Sequence, residues 1–126
     1  MQIKNQKDKK EEFKRRLYSF VLRLLRFISA LPKNQITKII GDQLIRSGTS
    51  VLANYIEAQS SSSRRDYTNF FHHALKSANE SKVWLALLRD TNNGDKQEIE
   101  WLLNELKEIA DILASSILTL KGKRNF

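Results

Sequence analysis

Ile99-Glu-Trp-Leu-Leu-Asn-Glu-Leu-Lys-Glu-Ile-Ala-Asp-Ile-Leu-Ala-Ser-Ser-Ile-Leu-Thr-Leu120 carries its apolar residues at Ile99, Leu102/Leu103, Leu106, Ile109/Ala110, Leu113, Ile117 and Leu120. Steps of three and four put these residues on one stripe of a helix, which completes a turn every 3.6 residues. Asp95 and Glu98 have the spacing of a capping box. Acidic residues (Asp95, Glu98, Glu100) fill the first turns and basic ones (Lys121, Lys123, Arg124) the end, as the helix dipole favours. One helix is therefore expected over about 95–121, with a single greasy face that other elements must cover.

Upstream, Thr91-Asn-Asn-Gly94 is the strongest turn signal in the chain. Before it lies a third series, Tyr67, Phe70/Phe71, Ala74/Leu75, Ala78, Ser81, Trp84/Leu85 and Leu88, opened by Ser63 and Asp66 at capping-box spacing. The second series runs Ile36, Ile39/Ile40, Leu44, Ser47/Gly48, Val51, Tyr55 and Ala58, with Asn34 as its N-cap, and dies in Ser60-Ser-Ser-Ser63. Gly41 and Gly48 each cost about 1 kcal/mol against alanine inside a helix, which points to close backbone approach or a slight kink. The first series runs Phe13, Leu17, Phe20/Val21, Leu24, Phe27/Ile28 and Leu31; Asp8 with Glu11 is its expected cap, and Leu31-Pro32 ends it. Four helices over about 10–31, 34–58, 64–90 and 95–121, with short links, predict an all-α, antiparallel up-down-up-down four-helix bundle. The bundle domain is expected over 10–122, with 1–9 a flexible basic tail and 123–126 a basic C-terminal tail.

Composition agrees with that architecture. The chain has 126 residues, 29% charged and 40% hydrophobic, enough for one globular core. With no cysteine there is no disulfide scaffold, thiolate zinc site or cysteine nucleophile. One proline and four glycines are too few for an all-β chain. No apolar run approaches the roughly 18 residues of a membrane span, and the basic start leads into no uncharged signal core. The expected location is the cytoplasm, with no membrane partner.

The net charge is +8, and its distribution is uneven. Residues 1–33 hold ten Lys/Arg against three Asp/Glu, whereas residues 93–126 hold five against six. In an antiparallel bundle Lys121, Lys123 and Arg124 return to the end where Lys9, Lys10, Lys14, Arg15 and Arg16 start. Together with Arg23 and Arg26 these residues form the candidate nucleic-acid-binding set, because phosphate backbones are held by counterion release. The plainer alternative is a solvated, solubilising surface. A basic amphipathic helix also suits an anionic membrane, but the other three helices need its apolar face.

A polar stripe borders the core of the second helix. Ser47, Ser50, Asn54 and Glu57 are spaced +3, +4, +3, within about 80° of one another, and Arg46 lies at the margin. Ser77, Glu80, Ser81 and Trp84 form a comparable stripe on the third helix. Polar groups beside a core need partners or cost roughly 1–3 kcal/mol each. A hydrogen-bonded network between the two helices, Arg46 or Asn54 with Glu80, is the favoured reading, ahead of a subunit or ligand contact.

Catalytic constellations are missing from the pattern. His72 and His73 are adjacent and point about 100° apart on a helix, so they cannot chelate one ion together. Asn69 and Phe70 occupy the positions that a Glu-x-x-His pair would need. No phosphate loop or dinucleotide fingerprint occurs. The acidic residues of the fourth helix read as solvating its outer face. No metal, cofactor or enzyme activity is expected.

Gln43-Leu-Ile-Arg-Ser-Gly-Thr-Ser-Val-Leu-Ala-Asn54, Glu57-Ala58, Ser63-Arg-Arg-Asp-Tyr-Thr-Asn-Phe70, Ala74-Leu-Lys-Ser-Ala-Asn-Glu80 and Ile109-Ala-Asp-Ile-Leu-Ala-Ser-Ser-Ile-Leu-Thr-Leu-Lys-Gly-Lys-Arg124 together resemble the bacterial 23S rRNA intervening-sequence proteins, also labelled S23 ribosomal proteins. The resemblance spans about residues 17–124. Leu52 and Gln59 depart from it, standing where that family often has glycine. The resemblance implies a four-helix bundle assembled into a ring, a homopentamer, without an established biochemical activity. It also implies kinship with the accessory variability determinant of diversity-generating retroelements, which works with a reverse transcriptase and RNA. Leu22, Leu25, Leu75, Leu87 and Trp101 widen the apolar stripes beyond one bundle's core, which is compatible with such a ring. Three readings follow: a non-enzymatic oligomer binding nucleic acid non-specifically, a protein-interaction scaffold such as a reverse-transcriptase adaptor, or an assembly whose charge is incidental.

Overall fold

The computed structural model describes residues 5–124. They form four helices, α1 (Gln6–Ser29), α2 (Gln35–Gln59), α3 (Arg64–Asp90) and α4 (Lys96–Arg124), packed as an antiparallel up-down-up-down bundle. Among the described residues no helix is long and apolar enough to cross a membrane.

Each helix buries most of the stripe that its period predicts, except at the start of α2, where Ile36 and Ile39 are exposed and Thr37, Gly41 and Leu44 are the buried positions. Leu17, Phe20 and Leu24 of α1, Leu44, Val51, Tyr55 and Ala58 of α2, Phe71, Ala78, Leu85 and Leu88 of α3, and Ile99, Leu102, Leu106, Ile109 and Leu113 of α4 make one continuous core. Full burial of one such large apolar side chain contributes roughly 1.5–3 kcal/mol, so the core outweighs any single surface contact.

Caps set the ends. Asn34 caps α2 in a reciprocal box with Thr37: Asn34 Oδ1 accepts from the Thr37 N–H at 2.9 Å, and Thr37 Oγ1 accepts from the Asn34 N–H at 3.1 Å. Ser63 Oγ accepts from the Asp66 N–H, and Asp95 Oδ1 accepts from the N–H groups of Gln97 and Glu98. The start of α1 differs from the expected one. Asn5, not Asp8, is its N-cap, with Oδ1 accepting from the Asp8 N–H at 2.9 Å. The helix consequently begins at Gln6, and residues 6–9 belong to it rather than to a tail; the remainder of that tail, 1–4, lies outside the described residues. At the other terminus α4 runs on to Arg124, while 125–126 lie outside the described residues.

The α3–α4 turn closes α3 with Asn92 in the left-handed conformation (φ 59°). The N–H of Asn93 reaches back to the Leu88 carbonyl at 2.8 Å, and that of Asn92 to the Arg89 carbonyl at 3.1 Å, the paired bonds of a Schellman motif. Asn34 Nδ2 donates to Asn93 Oδ1 at 3.0 Å, so one side chain caps α2 and ties it to this turn.

Of the neighbouring helix pairs, α2 and α3 approach most closely and α1 and α4 least closely. Small residues explain the first: Ser47 faces Ser81 across the α2–α3 seam, near Ala74 and Ala78. Gly48 is approached from α1, because a Cβ there would stand 2.2 Å from Leu24 Cδ2. Gly41 lacks that constraint; its Cβ would meet Ile28 at an ordinary 3.6 Å.

Candidate nucleic-acid interface

The wider α1–α4 seam is spanned by long charged side chains. Arg16 forks onto Glu105, with Nε to Oε2 at 2.9 Å and Nη2 to Oε1 at 2.7 Å, and also donates to Glu108. Arg23 forks onto Glu98 at 2.7 and 2.8 Å and lies 3.5 Å from the ring centroid of Trp101. Seven residues forward on α1, from Arg16 to Arg23, match seven residues back on α4, from Glu105 to Glu98, as an antiparallel register requires. The hydrogen bond that Arg16 donates to Glu105 is the main reason that its guanidinium holds its proton more firmly than usual, against the opposing effect of burial. The Glu98 carboxyl is held below the usual carboxylate range, chiefly by its hydrogen bond from Arg23.

These contacts correct the sequence reading of both partners. The α4 carboxylates are not simply solvating an outer face, since Glu98, Glu105 and Glu108 neutralise cations of α1. Arg16 and Arg23 are correspondingly paired across the half-exposed α1–α4 seam. The pairing needs residues 75 and more positions apart, so only the helix register reveals it.

The other candidates fall into two groups. Lys9, Lys10, Lys14 and Arg15 are exposed on the first half of α1, and Lys121 is exposed at the end of α4 beside them. Lys123 and Arg124 belong to the last turn of α4, but their side chains lie outside the described residues. Arg26 is exposed near the opposite end of the bundle. The fold adds Arg64 and Arg65, which open α3 at the basic end and were not among the sequence candidates. Their signal was present in the antiparallel topology, which returns the start of α3 to the start of α1. Asp8, Glu11, Glu12, Glu57, Asp66 and Asp111 intersperse this end, so its positive character is local rather than uniform.

One such cationic stretch surrounds a groove of about 900 Å³ where α1 begins and α4 finishes. Lys9, Lys10 and Arg64 stand around it against one carboxylate, Asp111. Its floor is aromatic. Phe13 meets Tyr55 edge-on at 5.1 Å, and Tyr67 stacks on Phe71 at 4.8 Å. The Lys10 ammonium lies 5.6 Å from the Tyr67 ring centroid. Tyr55 donates its hydroxyl to the Lys10 carbonyl at 3.2 Å, and burial pushes its phenol up to about 12, so it stays neutral. Hydroxyls of Ser62, Ser63, Ser115 and Ser116 complete the walls.

The polar stripe resolves differently from the expected network. Ser47 Oγ and Ser81 Oγ are 2.8 Å apart in the core between α2 and α3, and Ser81 also donates to the Ser77 carbonyl at 2.9 Å. Asn54 turns back on its own helix, donating to Ser50 O and Oγ, both at 2.9 Å, rather than reaching Glu80. Arg46, Glu57 and Glu80 are exposed. The α2–α3 link is therefore a serine pair, because the helices are too close there for longer side chains to enter.

A family model described as 23S rRNA-intervening sequence protein matches residues 9–115. A crystal structure of a protein of unknown function from the S23 ribosomal protein family of Bacteroides thetaiotaomicron is similar at 32% identity and a TM-score of 0.75, covering 86% of this chain and 97% of that one. No curated protein matches the chain.

Proposed function

Because this chain belongs to the family of 23S rRNA-intervening sequence proteins, we propose that it is a non-enzymatic, oligomeric bundle that binds nucleic acid through its basic end. The observation that carries this reading is the set of cations around the α1–α4 groove, Lys9, Lys10 and Arg64, which make no ion pair among the described residues. The charges of Arg16 and Arg23 are already offset by carboxylates of α4, whereas those of these three are not. Exposed Tyr18, Leu22, Leu87 and Val83 lie outside the monomer's core and support association with further copies, for which a homopentamer is the working number.

Phosphate contacts of this kind carry no base sequence information, so the binding is non-specific and salt-dependent. Light scattering gives the subunit number, and a titration with single- and double-stranded RNA and DNA across a salt series gives affinity and slope. Charge reversal at Lys9, Lys10 and Arg64 is expected to abolish binding at moderate salt, whereas Arg16→Gln leaves it in place. Binding that ignores salt, or that survives the triple reversal, refutes this reading. A complex with a reverse transcriptase or another protein that survives nuclease treatment, without RNA or DNA binding, favours the scaffold reading instead.

A further inference from the structure

We infer that the α1–α4 groove receives an unstacked base, so that the ligand of the basic end is single-stranded nucleic acid rather than duplex. The inference rests on the proposed nucleic-acid function and specifies its ligand. Phosphate binding alone needs only surface cations. This end has in addition a recess of about 900 Å³ whose floor is built from Phe13, Tyr55, Tyr67 and Phe71. A recess of that size admits a nucleoside, and successive bases of single strands are commonly held on aromatic faces. A base paired and stacked within a helix cannot enter it.

The parts are arranged in the order in which a nucleotide presents them. Tyr67 is stacked on Phe71 through one side, and the Lys10 ammonium sits near its ring. A flat base takes the place of that ammonium over Tyr67, and Lys10 moves to the attached phosphate, with Lys9 and Arg64 on the phosphates either side. The Asp111 carboxylate, facing the same recess, accepts hydrogen bonds and has no phosphate-binding use. It suits a base edge carrying N–H donors.

The test compares a fluorescently labelled 12-nucleotide single-stranded DNA with a strand of equal length and charge made of abasic sites, with its RNA counterpart, and with the corresponding duplex. Base-bearing single strands are expected to bind about tenfold more tightly than the abasic strand at equal salt, the range found for one aromatic–base stack. Tyr67→Ala and Ser115→Trp, the second of which fills the groove while leaving the four aromatic residues unchanged, are expected to remove that advantage. Tyr67→Phe is expected to retain it. Equal affinity for abasic and base-bearing strands, or a duplex bound as tightly as the single strand, overturns the inference while leaving phosphate binding intact. Failure of every oligonucleotide to bind at low salt overturns the proposed function as well.

Discussion

Gly48→Ala puts a methyl group where Leu24 of α1 packs onto the backbone of α2. Its Cβ would lie 2.2 Å from Leu24 Cδ2, and Leu24 is fully buried, with 0% exposure. Carbon atoms in contact prefer about 3.5–4.0 Å, so the leucine methyl must retreat by about 1.5 Å into a packed core. Overpacking of this kind costs roughly 1–3 kcal/mol. Against it, alanine is better than glycine inside a helix by about 1 kcal/mol. An approach of 2.2 Å onto a fully buried side chain puts the steric cost in the upper half of that range, about 2–3 kcal/mol, so the net loss is about 1–2 kcal/mol, or roughly 4–8 °C in Tm for a chain of this size. Leu24→Ala reverses the sign. Alone it costs about 2–5 kcal/mol through the cavity it leaves, but in that background the methyl at position 48 has room and the helix gain of about 1 kcal/mol returns. Thermal melts by far-UV circular dichroism on the four proteins, at one protein concentration because assembly shifts Tm, read the coupling directly. A Gly48→Ala protein as stable as the parent, or a shift of the same sign and size in both backgrounds, refutes the close approach as the reason for this glycine.

The serine pair predicts an asymmetry: Ser81→Ala leaves the Ser47 hydroxyl with only a 3.5 Å contact to the Leu44 carbonyl and should cost about 1–3 kcal/mol, whereas Ser47→Ala leaves Ser81 bonded to Ser77 and should cost less than about 1 kcal/mol. Urea melts giving the opposite order would count against the hydrogen-bond assignment. Glu98 and Asp90 are held below their usual values of 4.5 and 3.8, respectively, each chiefly by a hydrogen bond from arginine. Below those usual values the unfolded chain binds more protons than the folded one, so stability contributed by these pairs is fully present above about pH 5 and is lost as pH falls through the lowered folded values. Tm should therefore fall as the pH drops below about 4.5, and the Glu98→Gln, Asp90→Asn double variant should show a shallower fall; an unchanged acid profile would exclude these two carboxyls as its source.

The four helices were legible because each buries one stripe, and period is a local property of sequence. The caps at Asn34, Ser63 and Asp95 were legible for the same reason. Asn5 was missed because Asp8, three residues on, offers an equally good capping side chain in a region with little apolar pattern to mark the start. The basic end was partly legible, since antiparallel topology alone returns α4 to the start of α1. Arg64 and Arg65 were missed there because the stretch that holds them, 60–92, has five Lys/Arg against three Asp/Glu and does not stand out by charge.

What the sequence by itself determined is the set of amphipathic rods, their order and their total charge, since each depends on residues within a few turns of one another. Only the tertiary structure decided which charges remain available. Arg16 and Arg23 are indistinguishable by local pattern from Arg15 and Arg26, yet the register of α1 against α4 sets carboxylates beside the first two. It likewise brought Phe13, Tyr55, Tyr67 and Phe71 from three helices to one groove, a placement fixed by how the rods pack and not by the sequence of any one of them.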